Sequence, residues 1–177
     1  MDSCFHRLRP GAASLLVVMM LSAPVAWAQS RALFEEAPKA EWKEVETTLP
    51  TYPASADLIP FSVSPDATAR FFIDGKSLRL GEDGVLRFTL LVRAAGGAEN
   101  LSYEGIRCDT AERKLYATGR GNGEWARVRS EAWLRIEDNS RNRQHAVLAK
   151  DFFCPPSAAR PSVTEIIQSL RREAGLR

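Results

Sequence analysis

The chain has 177 residues, 45% of them apolar and 26% charged, with 24 lysines and arginines against 22 aspartates and glutamates. That apolar share is too high for an intrinsically disordered chain, and 11 glycines with 10 prolines are far below a collagen-like or low-complexity content. A net charge of +2 lacks the clustered excess of base that marks nucleic-acid binding, so no such partner is expected.

Arg7 and Arg9 precede an apolar run from Ala12 to Leu21, and Ala26-Trp27-Ala28 stands directly ahead of Gln29. Basic residues, an apolar stretch and a small-x-small site in this order predict a secretory signal peptide over 1–28, cleaved after Ala28. The apolar run is shorter than the ~20 residues that cross a bilayer, so no membrane span is expected after cleavage. A lipid anchor would need cysteine next after the cut, where Gln29 stands. The expected location is therefore outside the cytoplasm, which in a Gram-negative cell means the periplasm or outer envelope. Cys4 leaves with the signal, which places Cys108 and Cys154 in an oxidising compartment and predicts a disulfide between them. The competing readings are free thiols or metal ligands. A zinc site is short of ligands, because His145 is the sole histidine past residue 28 and no Cys-x-x-Cys spacing occurs. No metal and no cofactor are expected.

Residues 29–56 carry scattered aromatics and prolines without a sustained period and read as an extended N-terminal arm docking Phe34, Trp42 and Tyr52 on the core. A disulfide-locked core over 57–154 follows, then a C-terminal helix within 155–177. In the core, β-rich runs at Leu58–Val63, Phe71–Ile73, Ser77–Leu80, Val85–Val92, Leu101–Cys108 and Leu115–Thr118 alternate with turn chemistry. Asp74-Gly75 and Asp83-Gly84 can supply the positive φ of tight turns. Connections this short hold no crossover helices, which makes the sheet antiparallel.

In Leu101–Cys108 the apolar positions change phase at Glu104-Gly105. A bulge there would return Leu101, Tyr103, Ile106 and Cys108 to one face and aim Glu104 at the rim, either for function or as a solvated bulge residue. The segment from Trp125 to Ile136 is ambiguous between strand and helix. From Asn142, Ala146, Val147, Leu148, Phe152 and Phe153 suit a short helix delivering Cys154, stopped by Pro155-Pro156. Ser162-Val-Thr-Glu165 has capping-box spacing, so a helix is predicted over 163–173. The expected class is α+β, an antiparallel sheet of sequential hairpins with C-terminal helices.

Motifs that carry chemistry are sparse. Gly119-x-Gly121-x-Gly123 completes neither the dinucleotide nor the Walker fingerprint and reads as a hairpin turn. No Gly-x-Ser-x-Gly elbow occurs, and any nucleophile would have His145 alone as its base. A carboxylate pair using Glu104 or an acid such as Asp74 would suit a small hydrolase, although acids in turns usually serve the turn. Trp125 and Trp133 could line a binding platform or fill the core. Arg127, Arg129, Arg135, Arg141, Arg143 and Lys150 are interspersed with acids and look like a solvated face. Glu104, Trp125 and Trp133 are the candidate ligand- or partner-binding residues.

The strings Trp42-Lys43-Glu44, Leu49-Pro50, Tyr52-Pro53, Phe71-Phe72-Ile73-Asp74 and Asp83-Gly84-Val85 occur together with two cysteine-bearing ones. The latter are Tyr103-Glu104-Gly105-Ile106-Arg107-Cys108 and Asp151-Phe152-Phe153-Cys154. In this combination the chain resembles the cryptic neisserial protein family of exported bacterial proteins, from about Phe34 to Cys154. The resemblance implies an exported domain of a Gram-negative envelope and brings no established reaction with it. The reading from sequence is a non-catalytic binding or structural domain with an envelope protein or ligand as partner; the alternative is a small periplasmic hydrolase using carboxylates.

Overall fold

The computed structural model describes residues 41–140, 142–156 and 160–176. The expected signal segment 1–28 and Phe34 lie outside the described residues. From Trp42 the chain forms one compact unit.

Eight antiparallel strands form a single open sheet: β1 (Leu58–Phe61), β2 (Arg70–Asp74), β3 (Arg79–Leu80), β4 (Val85–Arg93), β5 (Glu99–Arg107), β6 (Glu112–Gly119), β7 (Trp125–Arg127) and β8 (Leu134–Arg135). The order is β1-β2-β4-β5-β6-β7, with β3 also on β4 and β8 also on β6. Strands β2 and β3 lie along one edge of β4, opposite Ile73↔Leu90 and Leu80↔Leu86, and so act as one strand interrupted by a turn. Strands β7 and β8 do the same on β6, which resolves the ambiguous Trp125–Ile136 run into two short strands. The glycine-rich stretch is the β6–β7 hairpin, closed by the Arg120 N–H on Glu124 O with Gly123 at φ 83°. Gly84 takes positive φ (76°) as its turn requires. Gly75 does not, and its lack of a side chain serves instead to admit Ile59, whose Cδ1 would lie 3.1 Å from a Cβ there.

Beyond the sheet lie helix α1 (Arg143–Val147), a π-helical turn (Leu148–Phe153) and helix α2 (Val163–Glu173). The wider π turn, closed by the Cys154 N–H on Ala149 O, lets two consecutive phenylalanines reach the core. Phe152 meets Phe61, Phe153 meets Phe88, and Cys154 reaches Cys108 with Cα atoms 5.5 Å apart. The disulfide expected from the sequence is formed. The capping box is formed as well: the Glu165 N–H donates to Ser162 Oγ, and Glu165 accepts from the Ser162 N–H. The helix buries Ile166 and Leu170 against the π turn and the β1 edge of the sheet. No helix among the described residues is long and apolar enough to cross a membrane.

Both faces of the sheet are covered. Leu86, Phe88, Leu90 and Ile106 pack under the helices with Leu148, Phe153, Ile166 and Leu170, while Tyr103, Tyr116 and Ala117 pack under the arm with Leu49 and Trp125. This corrects the expected bulge. Strand β5 runs in unbroken register against β4 from Glu99 to Arg107. The register shift lies in β6, where Tyr103 faces Ala117 and Glu104 faces Leu115, leaving Tyr116 as the extra residue. Leu101 and Tyr103 need not share a face with Ile106, because each face has its own cover. Gly105 is small for another reason: a Cβ there would lie 2.8 Å from Tyr116 Oη and 2.9 Å from Val85 Cγ1, so the tyrosine crosses the strand over it.

Candidate functional site

Residues directly opposite in neighbouring strands point to the same side of a sheet. Arg79 faces Arg87, Arg87 faces Gly105, Gly105 faces Lys114, and Arg107 is two residues from Gly105 along β5. Four cations from four strands are therefore gathered on the face away from the helices. Like charges placed opposite one another repel, so this face needs compensation. Aromatic rings supply part of it. Arg79 lies 5.4 Å from the Tyr103 ring, Arg87 lies 5.6 Å from Tyr116, and Arg107 lies 3.6 Å from Trp42 and 5.5 Å from Trp133.

The arm supplies the rest, and it is gripped largely through its backbone. Asp83 Oδ2 accepts the Val45 N–H (2.9 Å) and Arg87 Nη2 donates to Val45 O (3.1 Å), so one buried ion pair holds both polar groups of one arm residue. Arg79 Nη2 donates to Thr48 O and to Thr47 Oγ1, and Trp125 Nε1 donates to Pro50 O (2.9 Å). The arm returns the contact where Trp42 Nε1 donates to Asp83 O and Tyr52 Oη donates to Arg120 O, each at 2.8 Å. These side chains do for the arm what a neighbouring strand would otherwise do.

Glu44 is the arm's one acid at the centre of this face. Its Oε1 accepts from Tyr116 Oη (2.8 Å), its Oε2 accepts from Lys114 Nζ (2.8 Å) and Trp133 Nε1 (3.3 Å), and Arg87 Nη2 stands 3.9 Å away. Burial alone would raise this carboxyl, but Lys114, Tyr116 and Trp133 outweigh burial and lower it. Burial and the bond to Glu44 raise the Tyr116 hydroxyl, which keeps it a donor. A groove of about 410 Å³ opens beside Glu44, lined among others by Lys114, Tyr116, Arg127, Ser130 and Glu131.

Asp83 sets a pH window. Burial would raise its carboxyl, but Arg87 and the N–H groups of Val45 and Val85 lower it from 3.8 to about 2. A depressed acid contributes stability that is complete above its unfolded value and is lost as pH falls through its folded value. Urea unfolding of Asp83→Asn is therefore expected to show a flatter fall in stability than wild type between pH 3.8 and about 2, with the largest difference between the two proteins above that window. Equal acid-side slopes would mean that Asp83 is not the group titrating there.

The opposite face holds the sequence candidate Glu104. It is 4% exposed, not at a rim, because β5 stays in register and α1 lies over it. Its Oε2 meets His145 Nε2 at 2.7 Å and its Oε1 accepts from Ser102 Oγ at 2.6 Å. Desolvation would raise this acid; His145, Ser102 and the charge of Arg113 lower it. His145, which follows the polar residues Asn142, Arg143 and Gln144, is buried as the acid's partner. Asp74 is 3% exposed, and its Oδ1 accepts the Lys76 N–H within its own turn. Trp133 sits edge-on to Trp42, and Trp125 packs at a tilt against Tyr52 and Tyr103. Both tryptophans thus belong to the arm face, and Glu104 does not join them. No group of three or more metal-ligating side chains occurs among the described residues.

Reading the sequence by local clusters missed Arg79, Arg87, Arg107 and Lys114, which are far apart in the chain. The signal that finds them is the two-residue alternation: each is the polar neighbour of a residue packed under the helices or in register with one. No signal of this kind marks Glu44, whose place depends on how an irregular arm docks.

In comparisons with known proteins, the CNP1-like family matches residues 37–171, which covers the sheet, the described part of the arm and most of α2. No curated protein and no solved structure matched the chain. With the family matching so much of its length, and both disulfide cysteines inside the match, the chain belongs to the CNP1-like family.

Proposed function

We propose that this protein is an exported domain of a bacterial cell envelope that works by binding, with the groove beside Glu44 as the mouth of its binding surface. The observation that carries the reading is the cation–aromatic sheet face that already holds an extended segment through backbone groups and one carboxylate. Such a surface is equipped to recognise chain and charge together. The Cys108–Cys154 disulfide supports export, because such bonds persist in oxidising compartments. The hydrolase alternative relies on Glu104 or Asp74, which are 4% and 3% exposed, with Glu104 held by Ser102 and His145 and Asp74 Oδ1 by a turn N–H, so neither carboxylate opens to a substrate.

The test uses the full chain expressed in a Gram-negative host with a photocrosslinking residue at Arg127 or Ser130, and at Arg171 on α2 as control. The reading expects periplasmic protein beginning at Gln29 and lighter than its reduced form by two hydrogens. It also expects a discrete adduct from the groove positions that Arg171 does not give. Retention in the cytoplasm, or equal adducts from all three positions, would overturn it.

A further inference from the structure

We propose that residues 42–53 are a resident, displaceable ligand, and that the face beneath them is a receptor for an extended peptide bearing an acidic side chain. This rests on the binding reading and names its ligand class.

Three observations carry it. First, Val45 is held at both N–H and C=O by Asp83 and Arg87, and Thr48 and Pro50 are held at their carbonyls by Arg79 and Trp125. Backbone contacts of this sort accept any sequence that is extended there. Second, charge is recognised at one arm position, where Lys114, Tyr116 and Trp133 donate to the Glu44 carboxylate and Arg87 adds its charge. Three donors and a second cation around one carboxylate make an anion site, and an acidic side chain on another peptide meets the same chemistry. Third, the arm contributes no strand to the sheet; residues 41–54 have no regular secondary structure, and β1 begins only at Leu58. Its removal would break no strand pairing. The groove also reaches Glu44 from outside, with Arg127 and Glu131 exposed on its walls, so an incoming chain has a point of entry.

The resident arm competes at the high effective concentration of a tethered segment, so a peptide in trans is best read where the arm is weakened. The experiment takes the full-length, oxidised Glu44→Ala protein and follows its Tm against a synthetic peptide of sequence Trp42–Pro53. The same peptide carrying Glu44→Ala is the comparison, and Glu44→Gln serves as the host protein if the alanine variant does not fold. The wild-type peptide is expected to raise Tm saturably, by about 2–4 °C near saturation, with a smaller rise in the wild-type protein. The Glu44→Ala peptide is expected to give less than half of that shift. No shift with either peptide, or equal shifts with both, would overturn the proposal. Either of those results alongside groove adducts in cells would remove the peptide assignment and leave the broader binding reading standing; loss of the adducts as well would remove both.

Discussion

Replacing Cys108 and Cys154 together by serine is expected to cost the protein about 2–5 kcal/mol of stability and to lower its Tm by roughly 10 °C. The bond closes a loop with a sequence separation of 46. In the chain-entropy view a loop of this length constrains the unfolded ensemble by about 4 kcal/mol, a large part of the roughly 5–15 kcal/mol that holds a domain folded. Its location adds to the effect. Cys154 ends the π turn that inserts Phe152 and Phe153, so the bond ties the helical layer to the end of β5 at the point of deepest packing. Urea unfolding of wild type, with and without reductant, and of the double serine variant measures this. Reduced wild type should match the variant, and an unchanged midpoint in both would show that packing alone holds the layer.

Glu104→Leu is expected to be comparably severe, at about 3 kcal/mol or more. Taking away the buried carboxylate leaves Ser102 Oγ and His145 Nε2 without their partner, and each buried polar group left unsatisfied costs about 1–3 kcal/mol. Replacing both partners by apolar residues is much less costly than stranding one, so Glu104→Leu/His145→Leu should lose clearly less than the two single changes added together. The pH dependence follows from the lowered Glu104 carboxyl. Its contribution is complete above the unfolded value of about 4.5 and is lost as pH falls through its lower folded value. The single variant should accordingly differ most from wild type at neutral pH and converge with it in acid. Additive single losses would mean that acid and histidine act independently of one another.

What the sequence discloses and what it hides divides along physical lines. Val85–Arg93 and Leu101–Arg107 are long β-rich runs, and Ser162 with Glu165 is a local hydrogen-bonded signature, so these elements are legible from neighbours in the chain. The disulfide is legible because two cysteines past the expected signal admit one intramolecular pairing. Glu104 is not, because an acid at a change of apolar phase looks solvated unless the histidine that covers it, 41 residues on, is known to be there. The bulge illustrates the same limit. The phase change in β5 suggests an irregularity, yet a sheet with two covered faces tolerates it, and the extra residue arises in β6, where Tyr116 crosses Gly105 to reach Glu44. The arm face depends entirely on such long-range meetings. Val45 lies 38 residues from Asp83, and Glu44 lies 70 from Lys114.

The central claim, that the arm is a ligand resting on an independently stable sheet, is tested most directly by native-state hydrogen exchange over residues 42–53 in wild type and Glu44→Ala. The account predicts that the Val45 amide, bonded to a side chain and not to a strand, exchanges well before the amides of β4 and β5. It further predicts that Glu44→Ala speeds exchange in the arm and leaves that of β4 and β5 unchanged. Arm and sheet exchanging together in wild type, and accelerating together in the variant, would make the arm an inseparable part of the core and contradict the account.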